Sequence, residues 1–224
     1  MIKRGTKALV LLSGGQDSAT CLYAVKEEFE TVEAVFFHYE QRHHLEYQSA
    51  KKICELSQSH LHELSLPAFK EIGGSAMIED IEIKNGCDGL PNTFVPGRNI
   101  VFLTLAASLA YTRNINDIII GVNETDYSGY PDCRRDFINS ISDSISLGLD
   151  RTFRIHTPLS QLSKAGIWEL SSKLNILDMV VQHTHTCYIG DHEHFHEWGY
   201  GCGECPACIL RKQGFETFKT KLRM

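Results

Sequence analysis

Apolar and polar positions along the chain change rhythm repeatedly. Residues 7–12 form an apolar run without alternation, the pattern of a parallel strand buried on both faces. A helical pattern follows over 17–29, a strand over 32–38, a helix over 44–57 and a shorter strand over 60–66. The stretch 67–98 is irregular and carries Gly73, Gly74, Gly86, Gly89, Pro91, Pro96 and Gly97, a composition that suits a functional cover. Alternation then resumes, with a helix over 99–113, a strand over 117–121, a helix over 132–147 and a strand over 153–156. After Pro158 the pattern is helical to about residue 181, and 212–221 reads as a closing helix. Strands alternating with helices predict an α/β fold with a five-stranded parallel sheet.

Composition narrows the possibilities. The 224 residues suit one domain spanning 1–224, and an apolar share of 42% can fill its core. A net charge of −6 offers no global basic field for a polyanion, so no nucleic-acid partner is expected. No apolar run is long enough to serve as a signal core or to span a membrane, so a soluble, cytoplasmic protein is expected.

Ser13-Gly14-Gly15-Gln16-Asp17-Ser18 joins the first strand to the first helix, where open α/β sheets bind ligands. Adjacent glycines let the backbone approach a phosphate, Ser13 and Ser18 offer hydroxyls, and the helix N-terminus adds partial positive charge. Asp17 suits a helix cap or a Mg²⁺ ligand better than a phosphate contact. The plain alternative is a Gly-Gly turn with a capped helix. Neither G-x-x-x-x-G-K-[ST] nor G-x-G-x-x-G occurs here. The string resembles the PP-loop of the N-type ATP pyrophosphatases (adenine nucleotide alpha hydrolase-like), which release pyrophosphate and leave AMP on their substrate. The residues assigned to ATP are Leu12, Ser13, Gly14, Gly15, Gln16, Asp17, Ser18, Ala19, Thr20, Cys21 and Leu22.

Of eight cysteines, Cys21, Cys54, Cys87 and Cys133 are scattered and read as ordinary buried thiols. Cys187, Cys202, Cys205 and Cys208 cluster, and four soft thiolates at short spacing predict one structural Zn²⁺ in a helical C-terminal element over 183–212. His192-Glu193-His194-Phe195-His196 formally matches H-E-x-x-H, but it lies between Gly190 and Gly199 among polar neighbours and reads as a solvated insert.

Two further strings fall at the expected ligand edge: Pro91-Asn92-Thr93-Phe94-Val95-Pro96-Gly97-Arg98-Asn99, and the run from Asn123 to Cys133. Taken singly, Arg98 could be a surface charge, and Glu124, Asp126, Ser128, Tyr130 and Asp132 an ordinary loop. Together with Gln41-Arg42-His43, His156-Thr157-Pro158-Leu159, Thr186-Cys187-Tyr188 and the run 201–208, they make the chain similar, almost end to end, to the 7-cyano-7-deazaguanine synthase family of queuosine precursor synthesis. It departs from that family's pattern in the longer segment 189–200, at His185 and at Asn123.

The resemblance implies a homodimer with a structural zinc that converts 7-carboxy-7-deazaguanine and ammonia to the nitrile. ATP with Mg²⁺ would adenylate first the acid and then the amide. Asp17 and Arg98 are the catalytic candidates, Arg98 because its fork matches a carboxylate or a phosphate. Arg98, Asn99, Glu124, Asp126, Ser128, Tyr130 and Asp132 are the substrate-binding candidates. No room is left for a glutaminase, so ammonia would be free or delivered by a partner. The rivals are a related deazaguanine ligase of defence type, a tRNA-modifying PP-loop enzyme, and an adenine-nucleotide sensor.

Overall fold

The computed structural model describes residues 5–84, 90–123 and 130–222. Five strands form one parallel sheet: β1 (Gly5–Leu11), β2 (Phe29–His38), β3 (Leu61–Ser65), β4 (Asp117–Ile119) and β5 (Arg154–His156). Their order is β3-β2-β1-β4-β5, with every pairing parallel. β1 is central and buried on both faces. Ala8 and Val10 face a core shared with α1 (Gln16–Lys26) and α2 (Leu45–Ser57), while Leu9 and Leu11 face a core under α4 (Arg98–Thr112) and α5 (Arg135–Gly148). This two-sided burial is why β1 shows no period-two alternation.

The chain runs outward from β1 through β2 to β3, then returns to the other side of β1 with β4 and β5. The order reverses between β1 and β4, so the loops after these strands diverge and open a crevice at their C-terminal ends. Asp117 ties β4 to β5 through Arg154 Nη2 at 2.6 Å and His156 Nε2 at 2.8 Å.

Several boundaries differ from the sequence pattern for physical reasons. The stretch 67–98 contains a short helix, α3 (Ala68–Ile72). The helix expected from Asp132 begins at Arg135, after a 3-10 turn (Pro131–Cys133), because the Asp132 carboxylate accepts the Asn99 N–H at 3.3 Å at the start of α4. The helical stretch after Pro158 is two helices, α6 (Lys164–Lys173) and α7 (Leu177–His183), interrupted where Asn175 takes a positive φ of 57°. The insert forms a small antiparallel hairpin, β6 (Phe195–His196) with β7 (Gly199–Tyr200). The closing helix α8 (Pro206–Leu222) starts six residues earlier than the pattern suggested, Pro206 suiting a first helical position. It packs on α6 around buried Trp168, Trp198, Phe215 and Phe218. Among the scattered thiols Cys21 and Cys54 are buried and Cys133 is half-buried; Cys87 lies outside the described residues. Among the described residues no helix is long and apolar enough to cross a membrane.

Candidate active site and metal centre

The phosphate loop is laced from within. The Ser13 N–H donates to Ser18 Oγ at 3.1 Å, the two hydroxyls stand 3.0 Å apart, and the Ser18 hydroxyl donates to the Gly15 carbonyl at 3.2 Å. Gly14 sits at φ +84°, and a Cβ there would run into the Glu46 carbonyl, so the position needs glycine on both counts. α1 has Gly15 as N-cap and no side-chain cap, which leaves the first-turn N–H groups open to an anion. Asp17 therefore does not cap the helix. Its Oδ2 accepts from Lys164 Nζ at 2.5 Å, and its Oδ1 is buried without a hydrogen-bond partner.

Beside the loop, residues from four parts of the chain converge on Arg98. Its guanidinium lies 5.8 Å from the Tyr39 ring centre, at the end of β2. Burial works against its charge, but Tyr39, Asp132 and Tyr130 outweigh it and hold the side chain firmly protonated. Burial pushes the Tyr39 hydroxyl up to about 12 and the Glu46 carboxyl up to about 7, with Arg98 opposing both shifts. Tyr188 is also raised, by burial first and then by neighbouring Tyr130, whose hydroxyl sits 2.7 Å from Thr93 Oγ1. The arrangement is a half-buried cation framed by phenols and carboxyls, suited to a planar anionic or hydrogen-bonding ligand.

Tyr188 also packs against the core that holds the candidate metal centre. The sulfurs of Cys187, Cys202, Cys205 and Cys208 all fall within 4.8 Å of one another, with Cys202–Cys208 at 3.9 Å and Cys187–Cys205 at 4.0 Å. A tetrahedral ion with bonds of about 2.3 Å would space them by about 3.8 Å, so the cluster fits zinc closely. The backbone N–H groups of Glu204 and Cys205 donate to Cys202 Sγ at 3.4 and 3.2 Å, which orients that sulfur within the cluster. A Cβ on Gly201 would sit 2.6 Å from Cys208 Sγ, so glycine keeps room for the ligand. Four protein ligands leave no open position, as in structural sites.

Residues 7–219 match the family described as "Queuosine biosynthesis protein QueC". The chain belongs to this family. It is 48% identical over 229 residues to the 7-cyano-7-deazaguanine synthase 1 of Rhodopseudomonas palustris (strain HaA2), covering 96% of this chain and 95% of that protein. It is 45% identical to the 7-cyano-7-deazaguanine synthase of Polaromonas sp. (strain JS666 / ATCC BAA-500), covering 97% and 98%. Among solved structures, a 4-thiouridine synthetase in complex with RNA and bound ATP shares the fold, with a TM-score of 0.52 at 18% identity, covering 97% of this chain and 50% of that one.

Within the family's fold, the expected site residues divide clearly. Ser13 is exposed at the loop and Asp17 half-buried beside it, whereas Ala19, Cys21 and Leu22 are wholly buried in the core beneath it. Thr20 is equally buried and bonds Ser171 at 2.9 Å, and Leu12 is 1% exposed, so these five side chains pack in the core beneath the loop. Asn99 and Asp132 are buried and engage each other, Asn99 Nδ2 donating to the Asp132 carbonyl at 3.2 Å. Glu124, Asp126 and Ser128 lie outside the described residues.

Sequence reasoning gave no role to Lys164, Tyr39, Glu46 or Tyr188. A lysine after a serine helix cap carries no local sign of a partner 147 residues away. The departures from the family pattern also have places. Asn123 Nδ2 donates to the Leu162 carbonyl at 2.6 Å, and His185 is fully buried against the rings of His43 and His192. In the insert, His194 bonds Asp191 at 2.7 Å and His196 bonds the Gly201 carbonyl at 2.9 Å, on a hairpin rather than a helix.

Proposed function

We propose that this chain is a 7-cyano-7-deazaguanine synthase, converting 7-carboxy-7-deazaguanine and ammonia to the nitrile at the expense of ATP. What carries the reading is near full-length identity of 45–48% to synthases of that name, joined to a phosphate loop with a lysine on it and an arginine cluster beside it.

The open N–H groups of the loop and of α1 bind the β- and γ-phosphates. The substrate carboxylate attacks the α-phosphorus and pyrophosphate leaves, giving the acyl adenylate. Lys164, set on the loop, and Arg98 draw off the charge that builds on the phosphoryl oxygens. Ammonia adds to the activated carbonyl and AMP leaves, giving the amide. The amide oxygen then attacks the α-phosphorus of a second ATP and pyrophosphate leaves again; loss of AMP and of both amide protons yields the nitrile. Mg²⁺ would neutralise the leaving pyrophosphate, and the unpartnered Asp17 Oδ1 is the loop's carboxylate for it. Zinc on Cys187, Cys202, Cys205 and Cys208 serves the fold.

The enzyme acts as a cytoplasmic homodimer on small molecules, with no nucleic-acid partner in keeping with its net charge of −6. Incubation of purified protein with the acid, ammonia, Mg²⁺ and ATP, followed by mass analysis, should give the nitrile. Unchanged acid, or nucleotide turnover without it, would remove the proposal.

A further inference from the structure

Five consecutive residues, Thr184 to Tyr188, connect the metal centre to the phosphate loop and to the arginine cluster. They belong to neither helix nor strand, so their place depends on what holds them. The Thr184 carbonyl and the Thr186 hydroxyl both accept from Arg211 Nη1, at 3.4 and 2.6 Å. Arg211 is 1% exposed and lies on α8, one helical turn after Cys208. It also donates to the carbonyls of Trp198 at 2.9 Å and Val180 at 3.0 Å, fixing the hairpin and α7 to the same point. Cys187 is one of the four cysteines placed to hold a metal ion, and its carbonyl accepts from His43 Nε2 at 3.0 Å. Tyr188 enters the Arg98 cluster through Tyr130.

His185 is the residue that reaches the loop. Its backbone N–H donates to the Gly14 carbonyl at 3.0 Å. That oxygen belongs to the same planar peptide unit as the Gly15 N–H, so holding one end aims the other. At the other end of that unit the Gly15 N–H donates to Ser13 Oγ at 3.4 Å, a long bond, so the 3.0 Å bond from His185 is the tighter hold on the plane. From His185 to Cys187 is two residues, about 7 Å of chain at full stretch, too short to absorb a displaced cysteine.

From this geometry we infer that the strap 184–188 is a positioning element: metal held at the four cysteines sets the Gly14–Gly15 peptide and so the affinity of the loop for ATP. The inference rests on the nucleotide and zinc readings given above. Coupling between two sites is reciprocal, so nucleotide at the loop must steady the metal turn in return.

The test uses the zinc-loaded protein with Mg²⁺ and α,β-methylene-ATP, followed by amide hydrogen exchange. The amides of His185, Glu204 and Cys205 should slow together by about fivefold or more, the low end of ordinary coupling, while those of edge strand β3 keep their rates. Slowing confined to the loop, or spread equally over β3, overturns the inference. As a second arm, His185→Pro removes the donor and His185→Leu keeps it. With zinc retained in both, the proline variant should bind the analogue at least about fivefold more weakly than the leucine variant, and equal affinities overturn the coupling. A wild-type protein that binds zinc but no nucleotide would overturn the ATP reading itself, and the coupling with it.

Discussion

Lys164 and Asp17, 147 residues apart in sequence, meet at 2.5 Å across the mouth of the phosphate loop. Lys164 opens α6 and Asp17 lies in the first turn of α1, so the pair fixes the two helices that flank the loop. Both side chains are largely buried, at 13% and 22% exposure, where a cation acts more strongly on a nearby phosphate than it would in water. Lys164→Ala should slow pyrophosphate release about 100-fold, the usual cost of losing one transition-state donor, and should also lower the melting temperature, because it leaves the Asp17 carboxylate unpaired. A variant with parental pyrophosphate release would exclude Lys164 from the chemistry.

Arg98 should resist conservative replacement. Lysine keeps the charge but loses the planar fork that meets a carboxylate or phosphate with two bonds. Both Arg98→Lys and Arg98→Ala are expected to lower kcat/KM at least about tenfold. Full activity in the lysine variant would show that charge alone suffices.

The Glu46 carboxyl, raised by burial from 4.5 to about 7 against the pull of Arg98, links stability to pH. In that window the folded chain holds a proton that the unfolded chain has released. The stabilisation is complete below the unfolded value and is lost as pH rises through the folded value. Denaturation midpoints should therefore fall from about pH 5 to about pH 8, and Glu46→Gln should show a smaller fall. Identical slopes in the two proteins would contradict the assignment.

Metal removal should act on the fold. Cys205→Ala is expected to lose zinc and about 3 kcal/mol or more of stability, roughly 10 °C in Tm for a chain of this size. A variant with parental Tm and metal content, deficient only in turnover, would argue for a catalytic metal. In the insert, Glu193 is exposed on the approach to a hairpin, and Glu193→Gln should leave nitrile formation within about 1 kcal/mol in barrier. Metal-dependent peptide hydrolysis lost with that substitution would reverse this view.

The features legible in the sequence are those whose cause is local. The loop announces itself through Ser13, Gly14 and Gly15 after an apolar run, and the cysteines through spacing a single turn can satisfy. β1, expected over 7–12 and found at Gly5–Leu11, is legible because burial on both faces leaves Ala8, Leu9, Val10 and Leu11 all apolar. What stayed hidden depends on tertiary approach: Lys164 on Asp17, Tyr188 beside Arg98, and the Asp132 carboxylate taken up by the start of α4. The apolar run 117–121 predicts a strand to Gly121, but the pairing of β4 with β1 ends at Ile119, a limit that an apolar run cannot show.

Counting AMP against nitrile in a single-turnover quench tests the synthase reading most directly. Taking an acid to a nitrile removes two oxygens from one carbon, and water is a poor leaving group, so each must depart as an activated phosphate ester. Two AMP should form per nitrile, and the primary amide should appear early and be converted with ATP and no added ammonia. One AMP per product, or an amide that accumulates unconverted, would make this protein an amide ligase and contradict the account.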